Sequence, residues 1–240
     1  MSAAASGIDA ILSQVPLPRV AMARVHADHP SIDDPGRATT DALERGGLGT
    51  LVAPGAQVAI AVGSRGIASL SAIVAATVAA VRNAGGEPIV FPAMGSHGGA
   101  TAEGQRHVLE ALGVTADTVG APVISDMAVE RLTTVQLPDR EVPVCCARTA
   151  LEADATLLVG RVKPHTSFRG RYESGLMKMA AIGLGKQVGA EACHARGLAK
   201  LGDTVPAVGS EVLARANVVG GLAILENADH RLAELELVPT

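Results

Sequence analysis

Twice in succession, an apolar run of strand length ends in a glycine-rich loop and a helix-length segment follows. Gln57–Val62 leads into Gly63-Ser64-Arg65-Gly66, and residues 69–84, rich in alanine and valine, form a helix-length stretch that Gly85 and Gly86 stop. Glu87–Pro92 leads into Met94-Gly95-Ser96-His97-Gly98-Gly99, after which Thr101 is placed to cap a helix over residues 102–112 that ends at Gly113. This is a βαβα unit with parallel strands, and crossovers of this kind are right-handed. A third run, residues 155–160, reads as another buried parallel strand followed by a polar loop at 161–171. The expected fold is α/β: a Rossmann-like, mostly parallel sheet flanked by helices.

Around this unit, residues 132–136 and 141–148, joined by Leu137-Pro138-Asp139-Arg140, predict a small β-hairpin with a proline turn. Residues 122–126, 218–225 and 232–238 predict strands. Helices are expected over 173–182, 188–199 and 206–216. Toward the start, the pattern suggests a short helix at 8–14, a strand at 19–27, a loop at 28–37 and a helix at 40–45 ended by Gly46 and Gly47. No internal repeat or low-complexity linker divides the chain, so residues 1–240 read as a single α/β domain.

Composition narrows the partners. The chain is 48% hydrophobic, enough to fill a core, and its aromatic content of 1% removes the stacking platforms that single-stranded nucleic acid needs. A net charge of −4 without a basic run argues against a phosphate-backbone partner. Three cysteines without CxxC spacing, two of them adjacent at Cys145 and Cys146, read as reduced residues of a cytoplasmic protein. The first residues lack a basic segment, Asp9 interrupts the first apolar stretch, and no apolar run approaches the ~20 residues of a membrane span. With no nucleic acid and no membrane expected, a small molecule or another protein remains.

Ligands of open α/β sheets sit beyond the carboxyl ends of the strands. Three junctions qualify here, carrying Ser64 and Arg65, Ser96 and His97, and Lys163 and His165. If the strands are neighbours, these groups converge. Glycines at 63, 66, 95, 98 and 99 would let the backbone approach a ligand, and the helix N-termini after 66 and 101 would favour a carboxylate or phosphate. Reactive side chains concentrate in residues 160–194, which hold Lys163, His165, Tyr172, Lys178, Lys186 and His194. Lys178 lies between Gly175-Leu176-Met177 and Met179-Ala180-Ala181-Ile182. It reads either as a desolvated, nucleophilic lysine or as one snorkelling from a helix edge. Gly183-Leu184-Gly185-Lys186 lacks the spacing and the Ser/Thr of a phosphate loop. His26 and His29 read as surface histidines beside the 28–37 loop.

In Gly63-Ser64-Arg65-Gly66, in the run from Pro92 through His97 to Thr101, in Lys163-Pro164-His165 leading to Gly175-Leu176-Met177-Lys178, and in His194, the chain resembles the lactate racemase family, whose members use a nickel-pincer nucleotide. The resemblance covers residues 57–230. It implies that Lys178 carries the nicotinate-derived cofactor covalently and that His194 is the protein ligand to nickel. It implies that His97 and His165 are the general acid–base pair, and that Arg65, in the loop with Ser64 and Gly66, holds a substrate carboxylate or cofactor phosphate. The implied activity is racemisation or epimerisation of a small 2-hydroxy acid. One histidine takes the hydroxyl proton while the α-hydrogen leaves as hydride to the pincer, and return to the other face inverts the centre.

Two positions depart from the family. Val62 stands where members have Asp, and Gly98 follows His97 where they have Arg, so a 2-hydroxy acid other than lactate is expected. Members continue into a second domain that closes the crevice. The expectation is therefore a cofactor-carrying N-terminal domain with the family's C-terminal domain absent, partnered by a separate C-terminal chain or by its own copies. The alternatives are a non-catalytic or truncated cofactor-binding member and, from the βαβ unit alone, a nicotinamide-dependent oxidoreductase. The missing GxGxxG counts against the latter.

Overall fold

The computed structural model describes residues 29–240 apart from Arg65, together with Leu12, Pro16 and residues 18–23. Apart from Leu12, the helix expected at 8–14 lies outside the described residues, as does His26. So does part of the strand expected at 19–27; its described residues, 19–23, form no strand.

The elements run α1 (Pro35–Arg45), α2 (Leu48–Leu51), β1 (Gln57–Val62), α3 (Leu70–Asn83), β2 (Glu87–Pro92), α4 (Ala102–Ala111) and α5 (Ala116–Val119). They continue with β3 (Val129–Leu137), β4 (Arg140–Ala147), α6 (Arg148–Glu152), β5 (Ala155–Arg161), α7 (Gly175–Lys178), α8 (Lys186–His194), α9 (Leu201–Arg215), β6 (Val218–Glu226) and β7 (Leu232–Pro239). A five-stranded sheet has the order β2-β1-β5-β6-β7, parallel except for β7, which returns antiparallel to β6. β3 and β4 form a separate antiparallel hairpin. The fold is thus the α/β arrangement expected, a mainly parallel sheet flanked by helices with a small hairpin.

Strand alternation builds a core on each face of the sheet. Val58, Ile60 and Val62 of β1, with Leu157 and Val159 of β5, pack with α1 and α3 through Leu43, Leu70, Ile73 and Val74. Ala59 and Ala61 of β1, with Leu158 of β5, face the other way. There they join Val142, Val144 and Cys146 of the hairpin and Leu201, Val205, Val208 and Val212 of α9. Both faces being covered is why these strands read as continuous apolar runs. All three cysteines are buried and unbridged. Among the described residues, no helix is long and apolar enough to cross a membrane.

Several boundaries move, each for a local reason. α1 starts at Pro35, inside the segment expected as loop, because Asp34 accepts the Arg37 N–H at 3.0 Å and a proline at the first helical position needs no donor partner. Residues 122–126 make one parallel bridge, Val90 to Val123, and no strand. Pro122 has no N–H to give, and the Asp126 carboxylate turns the chain by accepting from Ala128 N and Thr149 Oγ1. α9 begins before Pro206 because Leu201, Thr204 and Val205 are buried against the hairpin face. The helix expected at 188–199 is α8, which starts earlier and ends at His194; Gly197, at φ +84°, turns the chain after it.

Leu157 is fully buried in the central region of the sheet. Leu157→Ala is expected to cost about 2–5 kcal/mol, read as a lower urea midpoint with an unchanged slope.

Candidate functional site

β1 pairs with β2 on one side and β5 on the other, all parallel, so the loops following the three strands leave the same edge of the sheet. A cavity of about 250 Å³ opens there. Ser64 comes to it from the first loop, His97 from the second and His165 from the third, with Lys178 from the end of α7 and His194 from the end of α8. Arg65 is outside the described residues. Gly66 is exposed and is not part of the lining; Gly63 lines the cavity in its place, with open space where a Cβ would stand.

The His97 loop is braced from behind. Lys186 is fully buried and its Nζ donates to Pro92 O at 2.6 Å and to Gln105 Oε1 at 3.2 Å. Gln105, also fully buried, passes the bracing on: its Nε2 donates to Gly95 O at 2.8 Å and to His97 O at 3.3 Å. Gly98 sits at φ +65°, where a Cβ would lie 2.6 Å from Gln105 N and from the carbonyl carbon of Gly104. That glycine serves the packing of the loop on α4 and not, as the sequence suggested, the approach of a ligand. On the cavity side, Ser64 Oγ and His97 Nδ1 are 2.5 Å apart.

The His165 loop is closed by its own polar groups. Ser174 Oγ accepts from Lys163 N at 2.7 Å and donates to Lys163 O. Glu173 accepts from His165 N at 2.8 Å and from Gly170 N at 3.3 Å. Those backbone donors, the His165 N–H foremost, hold its carboxyl below the usual range. Ser167 N donates to His165 Nδ1 at 3.1 Å, so the neutral ring carries its proton on Nε2. Phe168 is buried beneath, its ring centroid 4.3 Å from that of His165 and 5.4 Å from Lys178 Nζ. Glu173, Ser174 and Phe168 carry no signature motif. The available signal was Phe168 itself, one of two phenylalanines in the chain and set in a polar loop.

Lys178 and His194 flank an irregular turn. The regular helix expected over 173–182 is instead α7 followed by a π-helical segment, Met179–Gly183, closed by Leu184 N to Met179 O at 2.8 Å. π-turns cluster at functional sites because they re-aim side chains without ending the helix. Lys178 is half-buried, with Met179 and Ile182 beside it in the lining. The fully desolvated lysine of the segment is Lys186, whose pKa burial lowers to about 8, with the Asp126 charge opposing. His194 Nδ1 lies 2.6 Å from Ala190 O, so it donates, and the neutral ring keeps its lone pair on Nε2.

Of the two helix N-termini that favoured an anion, that of α4 is capped from within, whereas α3 has no side-chain cap. Thr101 Oγ1 accepts from Gly104 N at 3.0 Å at the start of α4, and Glu226 Oε1 accepts from Ala68 N at 2.7 Å just ahead of α3. At the surface, His29 pairs with Asp229 at 2.7 Å. Among the described residues, no group of three His, Cys, Asp or Glu side chains could hold a metal ion.

The family described as Domain of unknown function (DUF362) matches residues 60–237, which span every element that lines the cavity. The chain belongs to that family. No curated protein matches it. Among solved structures, this DUF362 chain is similar to the lactate racemase apoprotein from Thermoanaerobacterium thermosaccharolyticum, with a TM-score of 0.64 and 16% identity, over 90% of this chain and 54% of that one. At that identity the likeness is one of fold, and the DUF362 chain spans about half the length of the racemase structure.

Two outcomes follow from the bracing. Lys186 is charged in the unfolded chain up to pH 10.5 but loses its proton near pH 8 when folded, so folding sheds a proton between those values and the lysine's contribution improves as pH rises. Wild-type stability should therefore gain on Lys186→Met between about pH 8 and pH 10.5, by an amount on the order of 3 kcal/mol, in denaturation curves taken across that range. For Glu173, the depressed carboxyl makes the loop contribution present above the ordinary carboxylate range and lost as pH falls through the folded value. Glu173→Ala should speed amide exchange at His165 and Gly170 while far-UV circular dichroism is unchanged.

Proposed function

We infer that this DUF362 chain is the cofactor-carrying part of a racemase or epimerase acting on a small 2-hydroxy acid, with a nickel-pincer nucleotide attached at Lys178 and its metal ligated by His194. The observation that carries the reading is the meeting of His97, His165, Lys178 and His194 around one cavity from four separate segments of the chain. Among the described residues lining that cavity none is a carboxylate, and Lys163 and Lys178 bring positive charge to it beside Arg161, whose own charge is paired with Glu226; this suits an anionic substrate.

The donor set fits such a group. One imidazole with its lone pair on Nε2 cannot cage a metal alone, but it can complete the coordination of a metal that arrives in an organic chelate. Lys178, on the same cavity, offers the amine for covalent attachment. When bound, the group supplies a hydride acceptor and donor, which a non-acidic α-hydrogen requires.

The chain's own residues handle the protons. His165, with Nδ1 accepting from Ser167 N–H, presents a proton on Nε2 and is set to act first as an acid. His97 can act as a base at Nε2 when its Nδ1–H donates to Ser64 Oγ. An acid and a base on separate loops match a reaction in which the hydroxyl proton leaves and returns while the centre inverts. The loop brace through Gln105 fixes His97, and the Glu173 and Ser174 bonds fix His165.

Co-expression with cofactor-synthesis enzymes should give a mass increase on the peptide containing Lys178 together with bound nickel; an unmodified Lys178 under those conditions sinks the reading. In a loaded, active preparation, His97→Asn and His165→Asn should each lower turnover by about 10²–10⁴-fold with the mass increase intact. A second reading is a cofactor-binding module of the same family without turnover. Nickel bound without racemisation across a panel of 2-hydroxy acids distinguishes it.

A further inference from the structure

Arg161 ends β5 and lines the cavity between Gly160 and Lys163. Its side chain is 16% exposed, and its Nη1 donates to Oε2 of Glu226, the last residue of β6, whose side chain is 6% exposed. The two partners are unequally satisfied. Glu226 has a donor on each oxygen: Arg161 on Oε2 and the Ala68 N–H, at 2.7 Å, on Oε1. The guanidinium has five N–H groups in a rigid plane, and its Nε is the one buried side-chain polar atom, among the described residues, that meets no acceptor.

A carboxylate fully met and a guanidinium partly met is the arrangement of a cation being held in place. A pair serving only itself would use the fork, with two parallel bonds from the guanidinium edge to the two oxygens. Here Glu226 takes a single corner, Nη1, and leaves the Nε–Nη2 edge without a carboxylate. A buried donor without an acceptor is costly, and Arg161 is among the residues that line the cavity, where a ligand can supply one. The strand end gives this arginine a fixed origin: Arg161 pairs with Ile224 across the parallel ladder.

We propose that Arg161, held by Glu226, anchors an oxyanion of the bound ligand through its Nε–Nη2 edge. This deepens the preceding reading, resting on the cavity being a small-anion site but not on any group attached to Lys178. It gives the anion-holding role that the sequence suggested for Arg65 to a residue of the sheet itself. A carboxylate of a 2-hydroxy acid and a phosphate of a nucleotide share this chemistry.

The test is a titration of the 240-residue chain, ¹⁵N-labelled and unloaded, followed at the Arg161 Nε–H resonance. Burial slows its exchange enough to be seen, and its loss in Arg161→Lys assigns it. Sodium lactate and inorganic phosphate are added in separate arms at constant ionic strength. A saturable shift in the lactate arm assigns a carboxylate subsite, and one in the phosphate arm a phosphate subsite. No shift in either arm overturns the proposal. Backbone amides of Ser64 and Gly160 then report affinity in the variants. Arg161→Lys keeps the charge but loses the fork, and should bind about tenfold more weakly. If it does not fold, the double variant Arg161→Met with Glu226→Gln removes both buried charges together; wild-type affinity in that variant also overturns the proposal. Failure of Lys178 to take a cofactor would leave these titrations unaffected, so the two readings can fall separately.

Discussion

β1 is paired in parallel on both sides, to β2 through Gln57–Glu87 and onward, and to β5 through Val58–Ala155 and onward. Parallel neighbours all point the same way, so the chain must leave each strand at one common edge and return by a crossover behind the sheet. Three polar loops are thereby brought side by side without depending on bonds between them. The apolar side chains on both faces supply the energy, and the loops are carried along. This separates the problem of folding from the problem of chemistry: residues 58–62 and 155–160 can stay almost wholly aliphatic while Ser64, His97 and His165 stay polar.

The cavity is held largely from outside its own wall, with Ser174 the exception within it. Lys186 and Gln105 stand behind the second loop, Glu173 and Ser174 lie within the third, and neither group of bonds depends on a ligand. A buried ammonium is an expensive brace, since burial itself draws its pKa down toward 8, yet it reaches the carbonyl of Pro92 and the amide of Gln105 together. The hairpin secures a third region. Asp139 in its turn accepts from Arg196 and Lys200, fastening the chain just past His194, and these bonds hold the carboxyl far below its usual range. His97, His165 and His194 thus each have a nearby polar fastening.

Much of the framework was legible because its signal is local. Gln57–Val62 and Glu87–Pro92 are strands with the bounds their apolar runs and flanking glycines announced. Their neighbours could be read as helices from length and stops alone. The meeting of His97 and His165 was expected from their places after parallel strands, and that of Lys178 and His194 with them from the family resemblance; the cavity brings all four together, and their roles remain proposals. What could not be read depends on contacts between distant segments. Lys186 looks like one more lysine after a glycine pair until Pro92 and Gln105 are set against it. Gly98 looks like a ligand-facing glycine until α4 is packed on it. Glu226 falls just past the strand expected at 218–225, while its two oxygens in fact join β6 to β5 and to the entrance of α3.

The π-turn between Lys178 and α8 has a consequence of phase. Such a turn is an α-helix carrying one additional residue, and at 3.6 residues per turn one residue is worth about 100° of rotation. Removing a single residue from Met179–Gly183 would let the segment settle into a regular helix, but everything before it would swing around the axis by that angle while His194 stayed in register with the hairpin. Lys178 would then face a different neighbour. The orientation of Lys178 relative to the chain that follows is therefore set by a one-residue insertion, and it can be lost by deletion without changing the lysine itself.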